Sequence, residues 1–150
     1  METKKRYLVL CTGNRCRSQM AHGWLSHLGG DAVAVYSAGT EPKGVHPLSI
    51  EVMRDAGVDI AGHTSDKLDL YLQEAFDVVI TVCDSAHEAC PVFPGARRTV
   101  HQPFDDPDDK TGKKSADELR PTFERVRDEI RAWSVAFLRS EGVVVGTDQA

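Results

Sequence analysis

Three features of the sequence predict an α/β fold. Short apolar runs alternate with helical patterns, the run FDVVITV is almost wholly apolar, and 150 residues suit one domain. Alternation of strands and helices implies parallel crossovers, an apolar run implies a strand buried on both faces, and a chain of this length buries about 68–70% of its unfolded surface. The expectation is a single domain over 1–150 with an open four-stranded parallel sheet, helices on both faces, and a flexible tail over 141–150.

The elements follow in order. Arg6 to Leu10 reads as a buried strand, and Ser18 to Leu28 as a helix whose Met20, Ala21, Trp24, Leu25 and Leu28 recur at three- and four-residue spacing, ended by Gly29 and Gly30. Ala32 to Ser37 is a second strand, and Pro47 to Ala56 a helix with proline in its first turn. SDKLDLYLQEA is a shorter helical pattern capped by Ser65, followed by the central strand Phe76 to Val82 and a short strand at Thr99 to His101. Ser115 to Arg139 is the longest helical pattern; Phe123, Val126, Ile130, Trp133, Phe137 and Leu138 form its inward stripe, and Pro121 is placed near its start.

A net charge of −5 and a pI near 5.6 argue against a nucleic-acid surface. The apolar run Tyr7 to Leu10 is too short for a signal-peptide core, and no stretch is long enough for a membrane span, so a cytoplasmic protein with neither nucleic-acid nor membrane partners is expected. In a reducing compartment its four cysteines point to catalytic, metal-bound or redox-cycling thiols rather than structural disulfides.

Ligands of open parallel sheets bind beyond the carboxyl ends of the strands, where Cys11 and Cys83 fall. Cys11 and Arg17 bracket five residues, Thr12, Gly13, Asn14, Arg15 and Cys16, and Ser18 follows. A loop of that size ahead of a helix can turn successive N–H groups toward one point and hold a tetrahedral oxyanion. Arg17 adds a planar fork, Gly13 and Asn14 tolerate positive φ, and the same field favours a Cys11 thiolate. Ser18 can donate a further hydrogen bond. Cys16 reads as a bystander.

Cys83 and Cys90 lie seven apart in CDSAHEAC, a segment of helical composition. On a helix their α-carbons would be roughly 10 Å apart, whereas a disulfide needs about 4.4–6.8 Å, so bonding would require the segment to rearrange. A zinc site of Cys83, His87 and Cys90 with Cys11 or His101 is the competing reading. Asp105 and Asp106 precede Pro107, where aspartates ordinarily shape a turn.

CTGNRCRSQMAHGW, with VYSAG, HTSD, DVVITVCDSAHEACP, FDDP and FERVRDEI, resembles the low-molecular-weight tyrosine phosphatase superfamily, and within it the thioredoxin-coupled arsenate reductases. The resemblance spans nearly the whole chain. It implies a cytoplasmic, monomeric enzyme of arsenic resistance that reduces arsenate to arsenite. Cys11 would be the nucleophile, Arg17 and Ser18 would support it, and Asp106 would transfer the proton. A Cys11/Cys83/Cys90 disulfide relay would be regenerated by thioredoxin. It also implies a potassium site on Asn14, Ser37 and Asp66, to which some members add a glutamate from the first helix. His22 stands at that position here, and imidazole is a poor potassium ligand, so no tightly bound cofactor is expected. His63 is assigned to orienting nearby loops; His27 and His46 receive no role. The rival readings are a tyrosine phosphatase, which FDDPDDK disfavours by lacking the aromatic pair that commonly follows Asp-Pro, and a non-enzymatic oxyanion or redox sensor.

Overall fold

The structure, a computed structural model, describes residues 4–84 and 91–146. Seven elements run in the order β1 (Lys5–Cys11), α1 (Arg17–Gly29), β2 (Val33–Gly39), α2 (Pro47–Asp55), β3 (Phe76–Thr81), β4 (Ala96–His101) and α3 (Ala116–Ser140), with short 3-10 turns at Gly30–Ala32 and Leu68–Tyr71. The strands form one sheet in the order β2-β1-β3-β4, and every neighbouring pair is parallel.

Each strand's alternation divides the core between the two faces. Tyr7, Val9, Val78 and Ile80 join the residues buried from α1, α2 and α3, while Leu8, Leu10 and Val79 pack with Leu68, Tyr71, Phe76 and Phe93. Among the described residues the three α-helices therefore cover one face and only the 3-10 turn Leu68–Tyr71 covers the other, in place of the α-helices expected on both. The helical layer is closely fitted: Trp24 donates its indole N–H to the Arg127 carbonyl at 3.1 Å, and a Cβ on Gly23 would stand 2.8 Å from Ile60 Cγ2.

Several expectations are corrected. The apolar pattern after Ser65 is not an α-helix: Leu70 and Leu72 point to solvent, and the single turn Leu68–Tyr71 is preceded by Lys67. Ser65 caps nothing there, its hydroxyl going instead to the cradle loop. The last strand begins three residues earlier than expected, at Ala96, because an edge strand can leave Arg97, Arg98 and Thr99 in solvent. Pro121 sits in the second turn of α3, because a Ser115/Glu118 capping box starts that helix at Ala116. The supposed tail is packed as far as residue 146: Val143 is buried, the Gly146 N–H reaches the Leu28 carbonyl at 2.6 Å, and Glu141 pairs with Lys5 and Arg98.

With this strand order the chain leaves β1 toward β2 and later returns to its other side as β3. The topological switch point thus lies at the carboxyl ends of β1 and β3, where an open sheet presents a crevice. Cys11 ends β1, and Cys83 follows two residues beyond β3.

Candidate active site

The loop between β1 and α1 is shaped by what its carbonyls accept. The Thr12 oxygen takes the Glu41 N–H at 2.9 Å, and the Gly13 oxygen takes the Lys43 N–H at 3.0 Å and the Ser65 hydroxyl at 3.2 Å. The Asn14 oxygen accepts from Ser65 at 2.9 Å and Gln19 at 3.1 Å, and the Arg15 oxygen from the His46 N–H at 3.1 Å. In a trans peptide C=O and N–H point opposite ways. Four carbonyls drawn outward therefore turn the N–H edges of Gly13, Asn14, Arg15 and Cys16 away from those partners, toward an anion cradle ahead of α1.

Asn14 is the pivot. Its φ of 46° is left-handed, its side chain is fully buried, and its Oδ1 accepts from Ser18 at 2.9 Å and Gln19 at 3.0 Å while its amide donates to the Ser37 carbonyl at 3.3 Å. The last bond fixes which amide atom is oxygen. The further hydrogen bond expected of Ser18 goes to Asn14, so Ser18 braces the loop. Gly39 backs the loop from β2, where a Cβ would stand 2.5 Å from the Thr12 oxygen and 2.9 Å from the Asn14 nitrogen. Neither Gln19 nor Gly39 was singled out from sequence.

Cys11, Thr12, Gly13, Arg15, Cys16 and Arg17 line one side of a cavity of about 760 Å³, and Asp106, Asp108, Asp109 and Lys110 line the other. Cys11 is in no disulfide and is 4% exposed. The Arg17 guanidinium reaches the Phe104 carbonyl at 3.3 Å and the Asp106 carboxylate at 3.6 Å. This separates the two aspartates: Asp106 faces the cradle, while Asp105 pairs with Arg125 in solvent at 3.0 Å. Cys16 is also free and buried, and burial, reinforced by Asp108 and Asp106, pushes its thiol far above the ordinary range, which keeps it protonated. Cys83 is fully buried, belongs to the same core cluster as Cys11, and is disulfide-bonded. Cys90 and His87 lie outside the described residues. Among the described residues no group of three His, Cys, Asp or Glu side chains is arranged to hold a metal ion.

The groups that would hold potassium do not fit it. Asn14 Oδ1 already accepts two bonds, the Ser37 hydroxyl pairs with His22 Nδ1 at 2.9 Å, and Asp66 accepts from Thr64 at 2.8 Å and Tyr71 at 3.3 Å. Where a carboxylate would be needed, His22 stacks on His63 with centroids 4.1 Å apart, and burial, then His63, lowers its pKa to about 3, so it is neutral. His63 in turn bonds the Gln19 amide oxygen at 3.0 Å, which ties this pair to Asn14.

The chain belongs to the low molecular weight phosphotyrosine protein phosphatase family, whose model matches residues 6–143. Within that family it is similar to arsenate reductases. It is 46% identical over 127 residues to the arsenate reductase of Halalkalibacterium halodurans, covering 85% of this chain and 90% of that one. A solved arsenate reductase in its reduced state superposes with a TM-score of 0.73 at 30% identity, covering 91% of this chain and 98% of that one. The thioredoxin-dependent arsenate reductase of Corynebacterium glutamicum matches at a TM-score of 0.62 and 28% identity, over 93% of this chain and 64% of that one. No described helix is long and apolar enough to cross a membrane.

Proposed function

We infer that this chain is an arsenate reductase, and that it works through a covalent Cys11 adduct and a relay of three cysteines. The observation that carries the reading is that Cys11, in the loop at the end of β1, shares a core cluster with a second cysteine, Cys83, beyond the adjacent strand. The similarity to arsenate reductases supports the choice of arsenic over phosphorus. The cavity supports it too, since among the described residues none that lines it is aromatic, and so none offers a ring to grip a phosphotyrosine.

Arsenate has the shape and charge of phosphate. Backbone N–H groups and Arg17 bind it, the Cys11 thiolate forms a sulfur–arsenic bond, and a hydroxyl departs as water with the proton of Asp106. The Cys83 thiolate then attacks Cys11 Sγ. The sulfur–arsenic bond breaks with its electron pair remaining on arsenic, which leaves as arsenite, and a Cys11–Cys83 disulfide forms. Attack by Cys90 on Cys83 frees Cys11 as thiolate and leaves a Cys83–Cys90 disulfide for an external dithiol. The thioredoxin-dependent relative suggests thioredoxin as the dithiol. A monomer acting in the cytoplasm in arsenic resistance completes the reading.

Replacing Cys83 or Cys90 by serine tests the relay. Steady-state arsenate turnover with thioredoxin is expected to vanish while hydrolysis of a small aryl phosphate, which needs only Cys11, Arg17 and Asp106, continues. Turnover that survives both changes rules the relay out.

A further inference from the structure

The cradle loop carries two arginines, Arg15 and Arg17, and both line the cavity. The Arg15 guanidinium is engaged by protein groups: Nε donates to Asp108 Oδ2 at 2.9 Å, and Nη1 donates to the carbonyls of Lys43 and Gly44 at 3.2 and 3.4 Å. The other Asp108 oxygen lies 3.3 Å from His46 Nε2. His46 is the N-cap of α2, its Nδ1 accepting the Leu48 N–H at 3.0 Å. An accepting Nδ1 leaves the ring proton on Nε2, so the neutral imidazole donates to Asp108. Burial, the largest influence, lowers the His46 pKa and favours that neutral form.

Asp108 is thus held at both oxygens, by the cradle loop and by the start of α2. Its own N–H donates to Asp106 Oδ1 at 3.1 Å, which leaves Asp106 Oδ2 at 3.6 Å from Arg17 and 3.7 Å from Lys110. Asp105 is tied outward to Arg125 of α3 at 3.0 Å, and the bonds at Asp109, which accepts the N–H groups of Thr111, Lys113 and Lys114, are local. Neither reaches the cradle; the ties to it are the long Arg17–Asp106 pair at 3.6 Å and the shorter Arg15–Asp108 bond at 2.9 Å.

We propose that Arg15 and Asp108 are positioning residues, a latch that fastens the 105–112 loop to the cradle and aims the Asp106 carboxyl at the departing oxygen. The proposal rests on the reading of Asp106 as proton donor. Arg15 acts through Asp108, and Arg17 binds the anion. Because a general acid supplies about 10²–10⁴ in rate and loses effect when misplaced, breaking the latch costs about tenfold in turnover.

The test compares the parent with Asp108→Ala, Asp108→Asn, Arg15→Ala and the double Arg15→Ala/Asp108→Ala in arsenate turnover with thioredoxin. Each single change is expected to lower kcat about tenfold with KM moved less than about twofold, and the double to fall no further than the worse single. Asp108→Asn preserves the side-chain shape if the alanine variant folds poorly. A rise in KM at constant kcat for Arg15→Ala would make Arg15 an anion ligand, and additive losses would make the two residues independent; either result overturns the latch. Amide exchange over 105–112 reads the latch without turnover and is expected to quicken about tenfold in every variant. Unchanged exchange overturns the latch by itself. Quickened exchange with an Asp106→Asn variant of full kcat leaves the latch standing and removes the proton-donor reading.

Discussion

Replacing Asn14 by alanine removes three things at once. Oδ1 no longer accepts from Ser18 and Gln19 at 2.9 and 3.0 Å, the long bond to the Ser37 carbonyl is lost, and alanine must take a φ of 46°. Two well-formed buried bonds at about 1 kcal/mol each and about 1–2 kcal/mol for the left-handed conformation bring the loss to about 3–4 kcal/mol. For a chain of this size that lowers Tm by roughly 6–16 °C. Asn14→Gly relieves the conformational part while still lacking the bonds, and should recover about 1 kcal/mol over alanine. Urea denaturation of the three proteins gives the ordering Asn, then Gly, then Ala. A glycine variant no more stable than the alanine variant, or an alanine variant within about 1 kcal/mol of the parent, refutes the assignment of Asn14 as the pivot.

The His22–His63 stack makes stability depend on pH. His22 is held near pKa 3 in the fold against 6.5 ordinarily, so between those values the unfolded chain binds more protons. Its contribution is complete above about pH 6.5 and lost as pH falls toward 3. From pH 7 to pH 5 the loss is about 2 kcal/mol from His22, measured by urea titration at both pH values; equal stability at the two would contradict the neutral stack. Exchanging sodium for potassium at constant ionic strength is expected to leave Tm within about 1 °C, since a cation that binds only the folded state must raise it; a larger rise with potassium would mean that the hydrogen bonds around Asn14, Ser37 and Asp66 yield to the ion. Gly39→Ala drives a Cβ toward the Thr12 carbonyl and the Asn14 nitrogen, both backbone atoms, and is expected to cost about 1–3 kcal/mol and weaken inorganic phosphate binding. Unaltered phosphate affinity by calorimetry would show that the cradle does not lean on Gly39.

What the sequence made legible was whatever local spacing controls. The strand ending in Cys11, the five-residue loop and the apolar stripe of α1 all lie within one stretch, and periodicity carries them. The start of α3 was legible as well, since Ser115 and Glu118 have capping-box spacing, whereas Pro121 lies inside the helix, in its second turn. β4 reads poorly because Arg97, Arg98 and Thr99 face solvent at the sheet edge and carry no apolar signal. Leu70 and Leu72 misled in the opposite sense, as exposed leucines that mimic a helical stripe. The bracing of the site was invisible for a different reason. The partner of Arg15 is 93 residues away, and the Ser65 hydroxyl reaches back 51 residues to the Asn14 carbonyl; nothing local marks either pairing. Residue type does not separate Asp105 from Asp106; the resemblance singled out Asp106, and in the fold it is Asp106 that lines the cavity while Asp105 pairs with Arg125.

Arsenate-dependent oxidation of NADPH in the presence of thioredoxin and thioredoxin reductase tests the central claim most directly. Catalytic oxidation that scales with arsenate, yields arsenite and disappears in Cys83→Ser and in Cys90→Ser is the expected result. Absence of arsenate-dependent oxidation in a protein that hydrolyses an aryl phosphate robustly would contradict it and make the chain a phosphatase.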